Sequence, residues 1–247
     1  MCGRFSLGAG ADELSRVYRA LADDIDGWQP RYSIAPSTMI PVLRMRPGSP
    51  EDGGEAPHPA GRSFEPARWG FQPSWARADG PRPINARLET VATNGMFRSA
   101  FAAHRAVVPM SGYFEWTSQG GRKVPHFIHG DGLLSAASLV APRQLPDGSW
   151  QVSAAIITTR SVDAAGQVHD RMPVFLADAD LDEWLDPGKL DRTGAAGLVT
   201  HVAEASAAIA ATLRTHVVDR RVNTVRGLDP TDPSLIAPVT PEPTGTA

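Results

Sequence analysis

Residues 11 to 22 carry Leu14, Val17, Tyr18 and Leu21 at i, i+3, i+4 and i+7, which puts all four on one face of an α-helix. Cys2 to Ser6 precedes it as a predicted short strand. Beyond residue 38 the period shortens. Alternating or short apolar runs at Met39–Arg44, Ala106–Pro109, Tyr113–Thr117, His126–His129, Val152–Thr159 and Val174–Leu176 predict strands bounded by turn-forming residues. Helical spacing returns in part of Arg87–Ala103, around Leu181–Leu185 and in the alanine-rich stretch Val202–Leu213. Strands fill the middle and helices lie between them, so the expected class is α+β, built on mostly antiparallel curved sheet with peripheral helices.

A chain of 247 residues with 42% hydrophobic content supports one sizeable core more readily than two. Its 23 Gly and 22 Pro cut it into short elements and argue against a helical bundle. Residues 47–63, PGSPEDGGEAPHPAGRS, offer almost nothing to bury and are expected to form a flexible loop within a single domain spanning 1–237. Residues 238–247 are expected to be a disordered tail. No internal repeat is present.

One cysteine excludes an internal disulfide and any multi-cysteine zinc motif. No run approaches the roughly 18 continuous apolar residues of a membrane span, and Met-Cys-Gly-Arg lacks the apolar core of a signal peptide. A cytoplasmic protein with no membrane association is expected. The net charge of −3 argues against a general nucleic-acid coat protein, but its distribution is uneven. Between Pro66 and Met110 six arginines (68, 77, 82, 87, 98 and 105) face only Asp79 and Glu89. That segment is either a solvated basic surface or a phosphate-binding patch.

Position 2 carries the most chemical information. A small residue after the initiator permits removal of Met1, which leaves a free α-amine beside the Cys2 thiol. With ordinary pKa values of about 7.7 to 8.0 and about 8.5, a useful minority of each is nucleophilic near neutral pH. An amine condenses with an aldehyde to an imine, and the adjacent sulfur can close onto the imine carbon to give a thiazolidine. The alternative is a small buried residue at the start of a strand.

Three further motifs offer partners. In Ile84-Asn85-Ala86-Arg87-Leu88-Glu89-Thr90, Asn85 is either a helix N-cap or an amide that positions a reacting group, with Arg87 available to a phosphate. Gly112-Tyr113-Phe114-Glu115-Trp116 sets a carboxylate in an apolar run. Facing inward, Glu115 would be a proton donor or acceptor near neutral pH; facing outward, a surface charge. Val168-His169-Asp170-Arg171-Met172-Pro173 follows Ile156-Ile157-Thr158-Thr159 and supplies a histidine suited to proton shuttling. His126 and His129 would face opposite sides of a strand, so neither metal nor cofactor is expected.

Taken together, MCGRF at the start, RYSIAPS at 31, RWGFQPSW at 68, NARLET at 85, GYFEW at 112 and HDRMPVFL at 169 closely resemble the SRAP (SOS response-associated peptidase) family. A looser echo follows in VVDRRVNTVRG at 217. The resemblance implies a DNA-repair protein that senses abasic sites and crosslinks them in single-stranded DNA through a Cys2 thiazolidine, acting as a monomer. It also implies roles. Cys2 would be the nucleophile, Asn85 would orient cysteine and substrate, Glu115 would assist imine formation, and His169 would handle the ring-opening proton transfers. Arg4, Arg87 and Arg171 would grip phosphates, Thr159 would join the DNA contacts, and Trp69 with Phe71 would stack on flanking bases. Many relatives read GFYEW for GYFEW and RWGL-[IV]-P for the stretch ending Phe71-Gln72-Pro73, departures that touch DNA contacts more than the chemistry.

Two other functions compete. As an N-terminal-nucleophile peptidase or amidotransferase-like hydrolase, Cys2 would attack a carbonyl with its own amine as base, and removal of Met1 could be a self-cleavage. As a non-covalent single-strand module, Arg and Trp contacts would do everything and salt would abolish binding.

Overall fold

The computed structural model describes residues 2–46 and 61–239. In chain order its elements are β1 (Phe5–Leu7), α1 (Ala11–Tyr18), β2 (Arg31–Ile34), β3 (Met39–Arg46), β4 (Gly61–Trp69), β5 (Asn85–Arg87), α2 (Leu88–Val91), α3 (Arg98–Ala103), β6 (Arg105–Gln119), β7 (Arg122–Gln144), β8 (Trp150–Arg160), α4 (Asp163–Gly166), β9 (Arg171–Pro173), β10 (Phe175–Leu176), α5 (Leu181–Leu185), α6 (Arg192–Ala210) and β11 (Arg214–Val217). Short 3₁₀ turns include Arg220–Asn223 and Pro233–Ile236. This is the α+β architecture expected, a mixed and mostly antiparallel sheet with helices around it.

Strand pairing runs β7–β8–β4–β3–β6 and returns from β6 to β7. The path therefore closes on itself, through short contacts of β4 with β8 at Arg68 and Trp69 and of β3 with β6 at Leu43. Two pairings are parallel, β4 with β8 and β5 with β8, and the second matters most for function. It seats Asn85 opposite Ile156 and Arg87 opposite Thr158. β9 lies antiparallel on the other side of β8, with Thr158 opposite Pro173 and Arg160 opposite Arg171. One strand thus brings the NAR and HDRMP motifs together.

Local sequence explains where elements stop. α1 ends at Tyr18 because Arg19 enters the left-handed region at φ 49°, and Ser15 Oγ donates to the Ala20 carbonyl at 2.7 Å. Leu21, expected on the helix, instead pairs its backbone with Arg62 and Phe64 of β4. The runs at 106–109 and 113–117 are one strand, β6, kinked near Ser111 where the register with β7 shifts. Gly112 is needed there: a Cβ would come within 2.5 Å of Phe127 Cζ and 2.6 Å of the Ile128 carbonyl oxygen.

Two expectations change. Gly61, Arg62 and Ser63, assigned to a flexible loop, pair with Arg46, Met45 and Arg44 as the start of β4, while residues 47–60 lie outside the described residues. Of the expected tail, Val239 donates its amide to the Val217 carbonyl at 3.0 Å, and residues 240–247 lie outside the described residues.

Candidate active site

Cys2 stands just ahead of β1, which pairs with β6 so that Phe5 faces Tyr113 and Ser6 faces Gly112. Phe114 donates its amide to the Arg4 carbonyl at 2.9 Å, so antiparallel continuation carries the chain start past Glu115. Cys2 is wholly buried and joins the main core cluster. Burial first, and the nearby Glu115 carboxylate second, push its thiol well above the usual range. The expectation of a thiol that ionises readily near neutral pH is therefore corrected: in this pocket the sulfur holds its proton until something removes it.

Asn85 is a strand residue, and the helix that follows begins after Arg87 with no side-chain cap. Its Nδ2 donates to the Cys2 carbonyl at 2.9 Å. Its Oδ1 is buried without a hydrogen-bond partner, an acceptor held beside the chain start. Two groups fix this strand from beneath: Trp69 Nε1 and the Ile156 amide both donate to the Ile84 carbonyl, at 3.0 Å each.

Glu115 faces inward and is 3% exposed. Burial raises its carboxyl pKa, with the His169 charge acting in the opposite sense. His169 sits between α4 and β9, half-buried, its amide bonded to the Ala165 carbonyl at 3.0 Å. Its Nδ1 accepts from the Arg171 amide at 3.0 Å and lies 2.8 Å from Asp170 Oδ1. The first contact suits a neutral ring, and the second places a carboxylate beside the ring once it carries a proton. Cys2, Asn85, Glu115 and His169 thus converge from the segment ahead of β1, from β5, from β6 and from the α4–β9 loop. A buried carboxyl with a shifted pKa beside a histidine and a thiol is the pattern of a proton-transfer site.

The expected DNA contacts divide. Arg87 is exposed, and Thr159 is half-buried on β8 opposite Met172. Arg171 is held by Glu89 through two hydrogen bonds at 2.7 and 3.1 Å and by the Thr158 carbonyl at 2.6 Å. Burial disfavours the Glu89 carboxylate, but Arg171 outweighs it and keeps the pKa low. Arg4 is buried, its Nη1 bonded to Ser33 Oγ at 2.9 Å and the Val222 carbonyl at 3.1 Å.

Trp69 and Phe71 require correction. Both are core residues, 0% and 1% exposed, packed edge-on against Phe5 and obliquely against Phe97, so neither offers a face to a base. The solvent-facing aromatic of that motif is Trp75, 63% exposed. Its loop is braced by Gln72, whose buried amide donates to the Arg77 and Ala78 carbonyls at 2.8 and 3.2 Å. Arg105, counted in the basic segment, is likewise structural, donating to the carbonyls of Trp184, Phe101 and Ala102.

Sequence reasoning missed Ser33 and Asn223. Ser33 holds Arg4, and Asn223 accepts from Trp116 Nε1 at 2.7 Å. The signals were RYSIAPS and the echo at 217, whose 3₁₀ turn packs against β7 and bonds the side chains of Arg4 and Trp116. Among the described residues, no group of three or more His, Cys, Asp or Glu side chains is gathered for a metal, and no helix is long and apolar enough to cross a membrane.

Residues 1–225 match the family described as SOS response associated peptidase (SRAP). The chain is 31% identical over 197 residues to abasic site processing protein YoqW of Bacillus subtilis, covering 77% of this chain and 83% of that protein. Over 193 residues it is 31% identical to abasic site processing protein YedK of Escherichia coli, covering 75% and 79%. A solved structure of a Bacteroides thetaiotaomicron protein superposes with a TM-score of 0.76 at 21% identity, over 97% of this chain and 100% of that one; this likeness concerns the fold. On these grounds the chain belongs to the SOS response associated peptidase (SRAP) family.

Proposed function

We propose that this protein processes abasic sites in DNA by trapping the ring-opened deoxyribose aldehyde on Cys2. The observation that carries the reading is the wholly buried Cys2 set against the inward Glu115, with its carbonyl clamped by Asn85. The names of the YoqW and YedK relatives, abasic site processing proteins, point to the same lesion.

Removal of Met1 frees the α-amine. His169 assists opening of the sugar by shuttling a proton between the anomeric hydroxyl and the ring oxygen, exposing the aldehyde. The amine adds to C1′, and Glu115, whose hold on its proton burial strengthens, protonates the departing hydroxyl so that water leaves and an imine remains. The Cys2 sulfur then adds to the imine carbon while its proton passes to nitrogen, closing the thiazolidine. Asn85 Oδ1 is the acceptor that aims the amine.

Single-stranded DNA is the favoured substrate because a sugar must reach a buried sulfur, which stacked duplex resists. Exposed Arg87 meets a phosphate directly, Arg171 does so by exchanging Glu89, and Trp75 supplies the stacking face. Separating thiol chemistry from amine chemistry tests the reading. Wild type should give an adduct that survives denaturing gels without reductant. Cys2→Ala should give at most one that borohydride preserves, and an unreduced stable adduct from Cys2→Ala would refute the role of sulfur.

A further inference from the structure

The loop between β4 and β5 is tied down at its base and at its crown. At the base, Phe71 donates its amide to the Pro83 carbonyl at 2.9 Å and Trp69 Nε1 donates to the Ile84 carbonyl at 3.0 Å, so the chain returns immediately beside Asn85. At the crown, the Ala76 amide bonds the Pro73 carbonyl at 2.9 Å and the Gly80 amide bonds the Arg77 carbonyl at 3.1 Å. These two turns hold Trp75 out in solvent. Arg143 Nη1 donates to the Ala76 carbonyl at 2.9 Å and Arg82 Nη2 to the Ala78 carbonyl at 3.2 Å. An exposed indole among arginines is the equipment of a single-strand contact.

Gln72 is buried in this loop, at the position where the RWGL-[IV]-P pattern has Ile or Val. A buried amide costs stability unless its donors are met. Here Nε2 donates to the Arg77 and Ala78 carbonyls at 2.8 and 3.2 Å, and two carbonyls as neighbours leave the amide one orientation. Its backbone is fixed as well, since the Gln72 amide donates to Ser153 Oγ on β8 at 2.9 Å. Gln72 thus links the sheet to the far turn of the loop. With an aliphatic side chain at 72, those two carbonyls would keep only the loop's own Gly80 and Arg82 as partners.

We propose that Gln72 is a positioning residue for single-stranded DNA: by holding the Trp75 loop in one shape, it presents the indole as a preformed stacking platform hung from the strand that carries Asn85. The proposal rests on the single-strand reading given above and concerns binding alone; no covalent step involves Gln72. A platform already in place when the strand arrives loses no binding free energy to the ordering of its loop.

The test is a double-mutant cycle. Gln72→Met keeps the length of an unbranched side chain and removes both donors. Wild type, Gln72→Met, Trp75→Ala and the double variant are titrated, by fluorescence anisotropy, against a labelled undamaged single-stranded oligonucleotide, so the result needs no crosslink. Trp75→Ala should weaken binding about tenfold, within the range of one lost base–aromatic stack. Gln72→Met should weaken it about fivefold when Trp75 is present, the low end of that range, and not at all in the Trp75→Ala background. Melting temperatures taken alongside separate this from a general loss of stability, which would not depend on Trp75. Ala78→Gly, at an exposed site in the same turn, loosens the loop without touching a buried group and should follow the same pattern. Wild-type affinity in Gln72→Met, or an equal loss with and without Trp75, would overturn the proposal; should Gln72→Met fail to fold, either result in Ala78→Gly would do so. Wild-type affinity in Trp75→Ala would overturn it too, by removing the platform. The parent reading is judged separately, by whether wild type crosslinks an abasic strand.

Discussion

Burial opposes the ionisation of both Cys2 and Glu115, and the Glu115 carboxylate further disfavours a thiolate at Cys2. Burying two ionisable groups side by side works against folding. The raised Glu115 pKa fixes the sign of the pH dependence. A group that binds its proton more tightly in the folded state contributes stability that is complete below the unfolded pKa and is lost as pH rises through the folded one. Glu115→Gln is neutral throughout, so its melting temperature should gain on wild type between pH 4 and pH 8; a gap that stays constant or opens the other way would contradict the assignment. The same variant should crosslink on the order of 10²-fold more slowly. Asn85→Ala removes the clamp on the Cys2 carbonyl and should slow crosslinking while leaving the circular dichroism spectrum unchanged. At this scale the resemblance pointed to Cys2, Asn85, Glu115 and His169, which the fold brings together, while the sequence alone leaves open whether Glu115 faces inward. Trp69 and Phe71 were misread because an aromatic beside an arginine looks the same in sequence whether it meets a base or braces a strand.

Strands and helices were legible where their period was strong. α5 spans Leu181–Leu185 as expected, whereas α6 begins ten residues before its predicted start, capped by Asp191 bonding the Gly194 amide. Alanine and glycine carry no apolar period, so its first turns left no pattern. β7 was recognised only at His126–His129, since its stretch through Ser135, Ala136, Ala137 and Ser138 is made of small residues buried on both faces. Residues 87–103 divide into α2 and α3 because the amides of Met96 and Phe97 bond Asn94 and stop the first helix. The close contact of β6 with β7 gives a test at this scale. Gly112→Ala drives a methyl into Phe127 and the Ile128 carbonyl, and should lose about 1–3 kcal/mol in urea unfolding, the usual range for overpacking. An unchanged midpoint would show that β6 and β7 can part there without cost.

The whole molecule is a sheet closed on itself, with the four candidate site residues gathered from segments up to 167 positions apart in sequence, from Cys2 to His169. No local period encodes such convergence. Non-covalent encounter with DNA through exposed arginines should weaken steeply between 50 and 200 mM salt, whereas adduct already formed should survive the higher salt; loss of both together would favour a purely non-covalent module. Duplex carrying an internal abasic site should react more slowly than single strand, and equal rates would remove the need for an unstacked sugar. The central claim is that amine and sulfur of one residue both join the sugar, and intact mass spectrometry tests it most directly. The protein alone should have the mass of the chain without Met1. After incubation with an abasic oligonucleotide and no reductant, a species should arise at protein plus DNA minus one water, whereas crosslinking by protein that retains Met1 would contradict the account.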